Sequence, residues 1–189
     1  MERSINFIDL KSVLLTSDYV FSEFNCGNED LNEFLLKDSK MYLRNLRYAT
    51  TLLKKDNRII AYYSLANDLL TIHDVEDFSD EIENDKNTFI EHDYWETFLA
   101  QKNYPAIKIG RLAVDAEFQN KGIGSLIVDS LIGSYRKNNK AGCQFITVDA
   151  INNQNTLRFY EVRGFKFLTA LDVAEKSRAM YRSLVNCKM

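Results

Sequence analysis

Residues Leu112-Ala113-Val114-Asp115-Ala116-Glu117-Phe118-Gln119-Asn120-Lys121-Gly122-Ile123-Gly124-Ser125 set two glycines where an apolar run gives way to a helical pattern. Glycine has no side chain to hold a bulky anion away from the backbone. The N–H groups of a helix's first turn can then point at that anion, and the helix dipole adds to the attraction. This is the chemistry of a pyrophosphate cradle built from main chain over Gln119–Ser125, with Lys121 a candidate counter-charge. A bare G-x-G also serves as plain turn chemistry at a helix start. A dinucleotide-binding turn would use Asp149 as its ribose acid. Its third glycine, however, falls on Ile127, and Gln119 comes five residues after Val114, where that fold turns tightly.

A second segment follows about thirty residues on: Asn153-Gln154-Asn155-Thr156-Leu157-Arg158-Phe159-Tyr160-Glu161-Val162-Arg163-Gly164-Phe165. Asn153 suits a helix cap. Tyr160 reads either as a core aromatic beside Phe159 or as a phenol placed to give up a proton. His73 and His92 lie in an acidic stretch without metal-ligand spacing, so no metal is expected. Cys26, Cys143 and Cys187 are an odd number with no C-x-x-C and read as reduced thiols.

The elements that must hold these residues follow from periodicity. Ile5–Leu15 reads as a first strand, and Asn28 as the cap of a helix carrying Leu31, Phe34, Leu35, Met41 and Tyr42 through about Leu43. Tyr48–Leu53 and Arg58–Leu65 read as a hairpin around the polar turn Lys54-Lys55-Asp56-Asn57. Ala106–Val114 reads as a buried strand and Gly122–Tyr135 as a helix. Cys143–Ala150, Asn153–Val162, Phe165–Leu171 and Ala179–Val185 then alternate strand, helix, strand, strand. Antiparallel strands followed by strand–helix units imply a mixed α/β sheet with helices packed on it.

At 189 residues with one proline, Pro105, the chain reads as a single domain over 1–189, with an acidic insertion at about 72–100. Residues 74–96 hold ten acids and one base, Lys86, for a net of −9, which leaves +6 on the remainder. That stretch contains Phe78, Phe89, Tyr94 and Trp95 without a clean period, and a loop with short helical pieces is expected. The first residues contain no apolar run long enough for a signal peptide or a membrane span, so a cytoplasmic protein with no membrane partner is expected.

Gln119-x-x-Gly122-x-Gly124 followed by Asn153-x-x-Thr156-x-x-Phe159-Tyr160-Glu161-x-x-Gly164-Phe165 resembles the two signature segments of the GNAT (general control N-acetyltransferase) family. Phe24-Asn25-Cys26-Gly27, the run Ile60–Leu65 and Tyr104-Pro105-Ala106 with Gly110-Arg111-Leu112-Ala113-Val114-Asp115 are similar to a GNAT subgroup. Its members are toxins of bacterial toxin–antitoxin pairs that acetylate aminoacyl-tRNA. The resemblance covers roughly residues 20–185, and departs in the acidic 74–96 stretch and at Thr156, where the family usually has alanine.

The resemblance implies a mostly antiparallel GNAT-like central sheet with helices on both faces. It implies acetyl-CoA as co-substrate and a primary amine as acceptor, with aminoacyl-tRNA, a small antitoxin and a homodimer as the partners of the toxin subgroup. The backbone of Leu112, Ala113 and Val114 would pair with the pantetheine arm and polarise the acetyl carbonyl. Gln119, Asn120, Lys121, Gly122, Ile123, Gly124 and Ser125 would hold the pyrophosphate, Asn153 the pantetheine or helix start, and Tyr160 would protonate the leaving thiolate. A non-catalytic acyl-CoA-binding module is the alternative outside enzymes.

Overall fold

The computed structural model describes residues 10–72, 75–85, 88 and 90–185. Its strands are β1 (Lys11–Leu14), β2 (Ala49–Lys55), β3 (Arg58–Thr71), β4 (Asn103–Val114), β5 (Phe145–Ile151), β6 (Lys166–Phe167) and β7 (Ser177–Ser183). Its helices are α1 (Glu29–Glu33), α2 (Ser39–Arg44), α3 (Val75–Glu83), α4 (His92–Leu99), α5 (Ile123–Lys137) and α6 (Gln154–Glu161). The seven strands run in the order β1-β2-β3-β4-β5-β7-β6. The pairs β1–β2, β2–β3, β5–β7 and β6–β7 are antiparallel. The mixed α/β, mostly antiparallel sheet expected from the sequence is therefore present. Two compact units divide the chain, Met1–Ala66 with Ile109–Ser130, and Asn67–Lys108 with Leu131–Met189.

In the first unit the Asn28 carboxamide accepts from the Leu31 N–H at 3.2 Å and starts α1, as its sequence position predicts. The expected unbroken helix is instead interrupted by a π turn at Phe34–Asp38. Ser39 Oγ donates to the Leu35 carbonyl at 2.6 Å there, and both Phe34 and Leu35 are buried. They join Leu15, Phe24, Leu52, Ile59, Tyr62 and Ala113 in one apolar cluster. α2 closes with Arg47 N donating to Tyr42 O and Leu46 N to Leu43 O, the Schellman pattern. Leu46 takes the left-handed position, with φ of 54°. The hairpin turn is tighter than expected, because β2 runs through Lys55 and Asp56 makes the turn at φ of 54°. A bulge at Leu53/Lys54 absorbs the change in register. At the amino end only Lys11–Leu14 of the expected Ile5–Leu15 strand lies within the sheet, and residues 5–9 lie outside the described ones.

In the second unit the short helical pieces expected in the acidic stretch are present. α3 and α4 are helices of nine and eight residues. Phe78 and Ile82, one helical turn apart, and Phe98 are buried with Leu70, Ile72, Tyr104, Ala106, Phe145 and Tyr181. In α3 the helical period was hidden because acids hold five of its nine positions. Glu81 accepts from the Tyr181 hydroxyl and lies 3.3 Å from the Lys166 ammonium, which ties α3 to β6 and β7. The strand expected over Phe165–Leu171 is only Lys166–Phe167.

Candidate active site

β4 ends at Val114, and Asp115 is buried at 4% exposure. Asp115 Oδ1 accepts from the Glu117 N–H at 3.2 Å and so caps a turn of 3-10 helix over Ala116–Phe118. The Arg58 guanidinium, from the first residue of β3, lies 2.9 Å from Asp115 and 2.6 Å from Glu117, and 4.9 Å from the Phe118 ring centre. Its charge and hydrogen bond hold the Glu117 carboxyl below the ordinary carboxylate range. The loop then turns through two left-handed residues, Asn120 at φ 58° and Gly122 at φ 81°, and α5 begins at Ile123. The φ at Gly122 suits glycine and disfavours other residues. Ile123 is buried and fixes the start of the helix, while Leu126 N donates to Gly122 O at 2.9 Å. The first-turn N–H groups of Ile123 and Gly124 precede any i→i−4 partner, which gives a fifteen-residue helix an anion-attracting end.

Two side chains of this loop, those of Gln119 and Lys121, bond to the protein's own main chain. Gln119 Nε2 donates to Cys26 O at 2.7 Å and to Val114 O at 2.9 Å. Lys121 Nζ donates to Glu117 O at 2.9 Å and sits 5.5 Å from the Phe118 ring centre. On β4, Ala113 is buried, whereas Leu112 and Val114 are half-buried.

In the second unit Asn153 has extended backbone, and its carboxamide oxygen accepts from the Thr156 N–H at 2.9 Å, which caps α6. Tyr160 is 5% exposed, with edge-on contacts to Phe159 at 5.0 Å and Phe165 at 5.2 Å. Burial raises its phenol above the ordinary value, and the nearby Arg163 charge offsets part of that rise. Arg163 sits 4.1 Å from the Phe159 ring centre and donates to Phe159 O at 2.6 Å. Leu112, Ala113, Val114 and Gln119–Ser125 thus belong to one unit and Asn153 and Tyr160 to the other.

Sequence reading missed Arg58 and Asp115, which carry no local signal because 57 positions separate them. It also gave no role to Asn25 and Cys26, whose carbonyls receive Ala116 N and Gln119 Nε2. Cys26 and Cys143 are free thiols, each raised by burial, and Cys187 lies outside the described residues. Among the described residues no group of His, Cys, Asp and Glu is arranged to hold a metal. No helix among them is long and apolar enough to cross a membrane.

A strand that runs through a glycine turn into a long helix, followed by a strand that leads to a capped helix bearing a buried tyrosine, is the element order that the GNAT resemblance implies. The family model described as acetyltransferase (GNAT) domain matches residues 80–167. The tRNA(Met) cytidine acetyltransferase TmcA of Haemophilus ducreyi is 31% identical over 81 residues, which cover 42% of this chain and 14% of that protein. The matched part therefore spans about one-seventh of that relative's length. Among solved structures, AtaTR bound with AcCoA is similar at 24% identity and TM-score 0.70, over 94% of this chain and 95% of that one. AtaT complexed with acetyl-methionyl-tRNAfMet is similar at 23% identity and TM-score 0.69, over 93% and 95%. A mutant of KacT is similar at 20% identity and TM-score 0.68, over 93% and 95%. These likenesses establish the fold.

Proposed function

We propose that this chain is an acetyl-CoA-dependent N-acetyltransferase of the cytoplasm that transfers the acetyl group to a primary amine by direct attack. The observation that carries this reading is the Asn120–Gly122 turn into the N-terminus of α5, a main-chain site for a pyrophosphate at the end of β4. The neutral amine attacks the thioester carbon, and a backbone N–H of Leu112–Val114 stabilises the oxygen as it gains charge. The C–S bond then breaks. Tyr160 supplies the proton that the departing thiolate takes, and the amine releases its own proton to water.

Burial makes the Tyr160 phenol a weaker acid than a free one. It therefore stays protonated until the thiolate forms, and the Arg163 charge favours the phenolate left behind. The oxygen of Asn153 is committed to the α6 cap, so that residue serves the cofactor by placing the helix.

A second reading names the acceptor as aminoacyl-tRNA, with a small antitoxin as protein partner. It is favoured by the likeness to AtaT complexed with acetyl-methionyl-tRNAfMet and to AtaT bound to the C-terminus of the antitoxin AtaR. Arg44 and Arg158 are exposed and available to phosphates, whereas Arg47 lies 5.8 Å from the Tyr42 ring centre and Arg111 5.1 Å from the Phe34 ring centre.

Two measurements test these readings. Gly124→Glu puts bulk and negative charge at the α5 N-terminus, and calorimetry should show acetyl-CoA affinity lost. Unchanged affinity would remove the pyrophosphate site. Labelled acetyl-CoA is then offered with charged tRNA, a polyamine and an unblocked peptide at low and moderate salt. Label on tRNA, falling steeply with salt, supports the toxin reading. Label on the small amine or peptide alone rejects it, and binding with no transfer to any of the three identifies a non-catalytic acyl-CoA-binding module.

A further inference from the structure

Gln119 stands in the position that the signature assigns to the pyrophosphate loop, and Phe24-Asn25-Cys26-Gly27 has no role in the chemistry above. The structure joins the two. A primary carboxamide has two hydrogens to donate, and both go to main-chain carbonyls, Cys26 O at 2.7 Å and Val114 O at 2.9 Å. The Gln119 N–H itself donates to Ala116 O at 3.4 Å. One residue therefore clamps the last carbonyl of β4 to the turn that precedes α1.

The Asn25–Gly27 turn is itself built to receive that clamp. Gly27 is left-handed at φ 79°, and its N–H donates to Asn25 Oδ1 at 2.8 Å. Asn32 Nδ2 donates to the same oxygen at 3.1 Å, and Asn32 Oδ1 accepts from Cys26 N at 2.9 Å. Asn25 O receives Ala116 N at 2.8 Å, a second link from the loop to the turn. Two cross-links thus fasten the loop after β4 to a hydrogen-bonded turn that α1 holds in place.

We propose that Gln119 is a positioning residue rather than a pyrophosphate ligand: it fixes the end of β4, and with it the Leu112–Val114 backbone, to the Asn25–Cys26–Gly27 turn. This rests on the acetyltransferase reading for its catalytic consequence, but not for its structural one. A phosphate ligand matters only to donors that carry phosphate. A clamp on β4 matters to any acetyl thioester that lies along β4.

The test compares Gln119→Met, which keeps the length and removes both donors, with the unaltered chain on acetyl-CoA and on S-acetylpantetheine, which lacks the pyrophosphate. A clamp predicts that kcat/KM falls by about ten-fold on both donors alike, the order expected for losing two neutral hydrogen bonds to carbonyls that water can reach. Hydrogen exchange at the Ala116 and Cys26 amides should quicken in the same variant. Asn25→Ala, which breaks the turn without touching the phosphate loop, should give the same donor-independent loss. A fall confined to acetyl-CoA, with exchange at Ala116 and Cys26 unchanged and Asn25→Ala as active as the unaltered chain, overturns the proposal. If the unaltered chain transfers no acetyl group, the enzymatic reading fails, and the exchange rates alone still decide whether the clamp exists.

Discussion

Gly110 on β4 offers the sharpest quantitative test of how the strand is held. A Cβ added there would lie 2.2 Å from Tyr48 Cε1, 2.7 Å from Cζ and 2.9 Å from Oη, so the ring lies against the strand. The half-buried ring can retreat only by leaving its edge-on contact with Phe34 at 5.8 Å and its tilted contact with Tyr42 at 5.4 Å. Forcing a methyl group into such packing costs about 1–3 kcal/mol, and swinging the ring out forfeits about 0.5–1.5 kcal/mol per aromatic pair. Gly110→Ala should therefore destabilise the protein by about 3 kcal/mol, a fall in Tm of about 6–12 °C for a chain of this size. Thermal melts of Gly110→Ala, Tyr48→Ala and the double variant form a cycle. With the ring gone, Gly110→Ala should cost almost nothing, a coupling of about 2–3 kcal/mol. An equal penalty in both backgrounds would refute the account and assign the glycine to some other constraint.

Three further outcomes follow from single residues. Leu46 occupies the left-handed position of the Schellman cap with 92% of its surface exposed, so Leu46→Gly loses little packing and relieves about 1 kcal/mol of backbone strain. Its Tm should rise by about 2–4 °C, and an unchanged or lower Tm in calorimetry counts against it. Tyr160→Phe keeps the ring contacts and removes the hydroxyl; thiol release should slow by about 10²–10⁴-fold with acetyl-CoA affinity little altered, and equal turnover would return Tyr160 to the core. Because burial raises Tyr160 above its ordinary value of about 10, the acid form persists at high pH. For an α-amine acceptor kcat/KM should climb through about pH 8 and hold to about pH 10, and a decline between pH 9 and 10 that is absent in Tyr160→Phe would contradict it.

The parts of the molecule that were legible in the sequence are those whose physics is local. Asn28 and Asn153 announce helix starts because a carboxamide three residues before a free N–H satisfies it, and both do so in the structure. Gly122 announces the loop-to-helix turn for an equally local reason, its positive φ. Leu46 hid its left-handed turn because leucine rarely takes that conformation, whereas the turn at Asp56 was legible. α3 was masked by composition: acids hold five of its nine positions, and the buried Phe78 and Ile82 hold it in place. The π turn at Phe34–Asp38 leaves no sequence mark beyond Ser39, whose hydroxyl bonds backward to Leu35.

The candidate site separates along the same line. Its signature residues were found by spacing, yet spacing cannot say whether a residue acts through its backbone or its side chain. Gly122, Ile123 and Gly124 could meet an anion only through the main chain. Gln119, Lys121 and Asn153 carry polar side chains that invite a ligand, and each is bonded to its own fold, Asn153 as the helix cap its position also announces. What holds them is distant in sequence: the Cys26 carbonyl lies 93 residues from Gln119, and Arg58 lies 57 from Asp115. An anion site made of N–H groups is rigid only if the loop that presents them is anchored elsewhere. The side chains nearest the site are therefore the ones most needed for anchoring, so a polar residue inside a binding signature is weak grounds for calling it a ligand until its own hydrogen bonds are known.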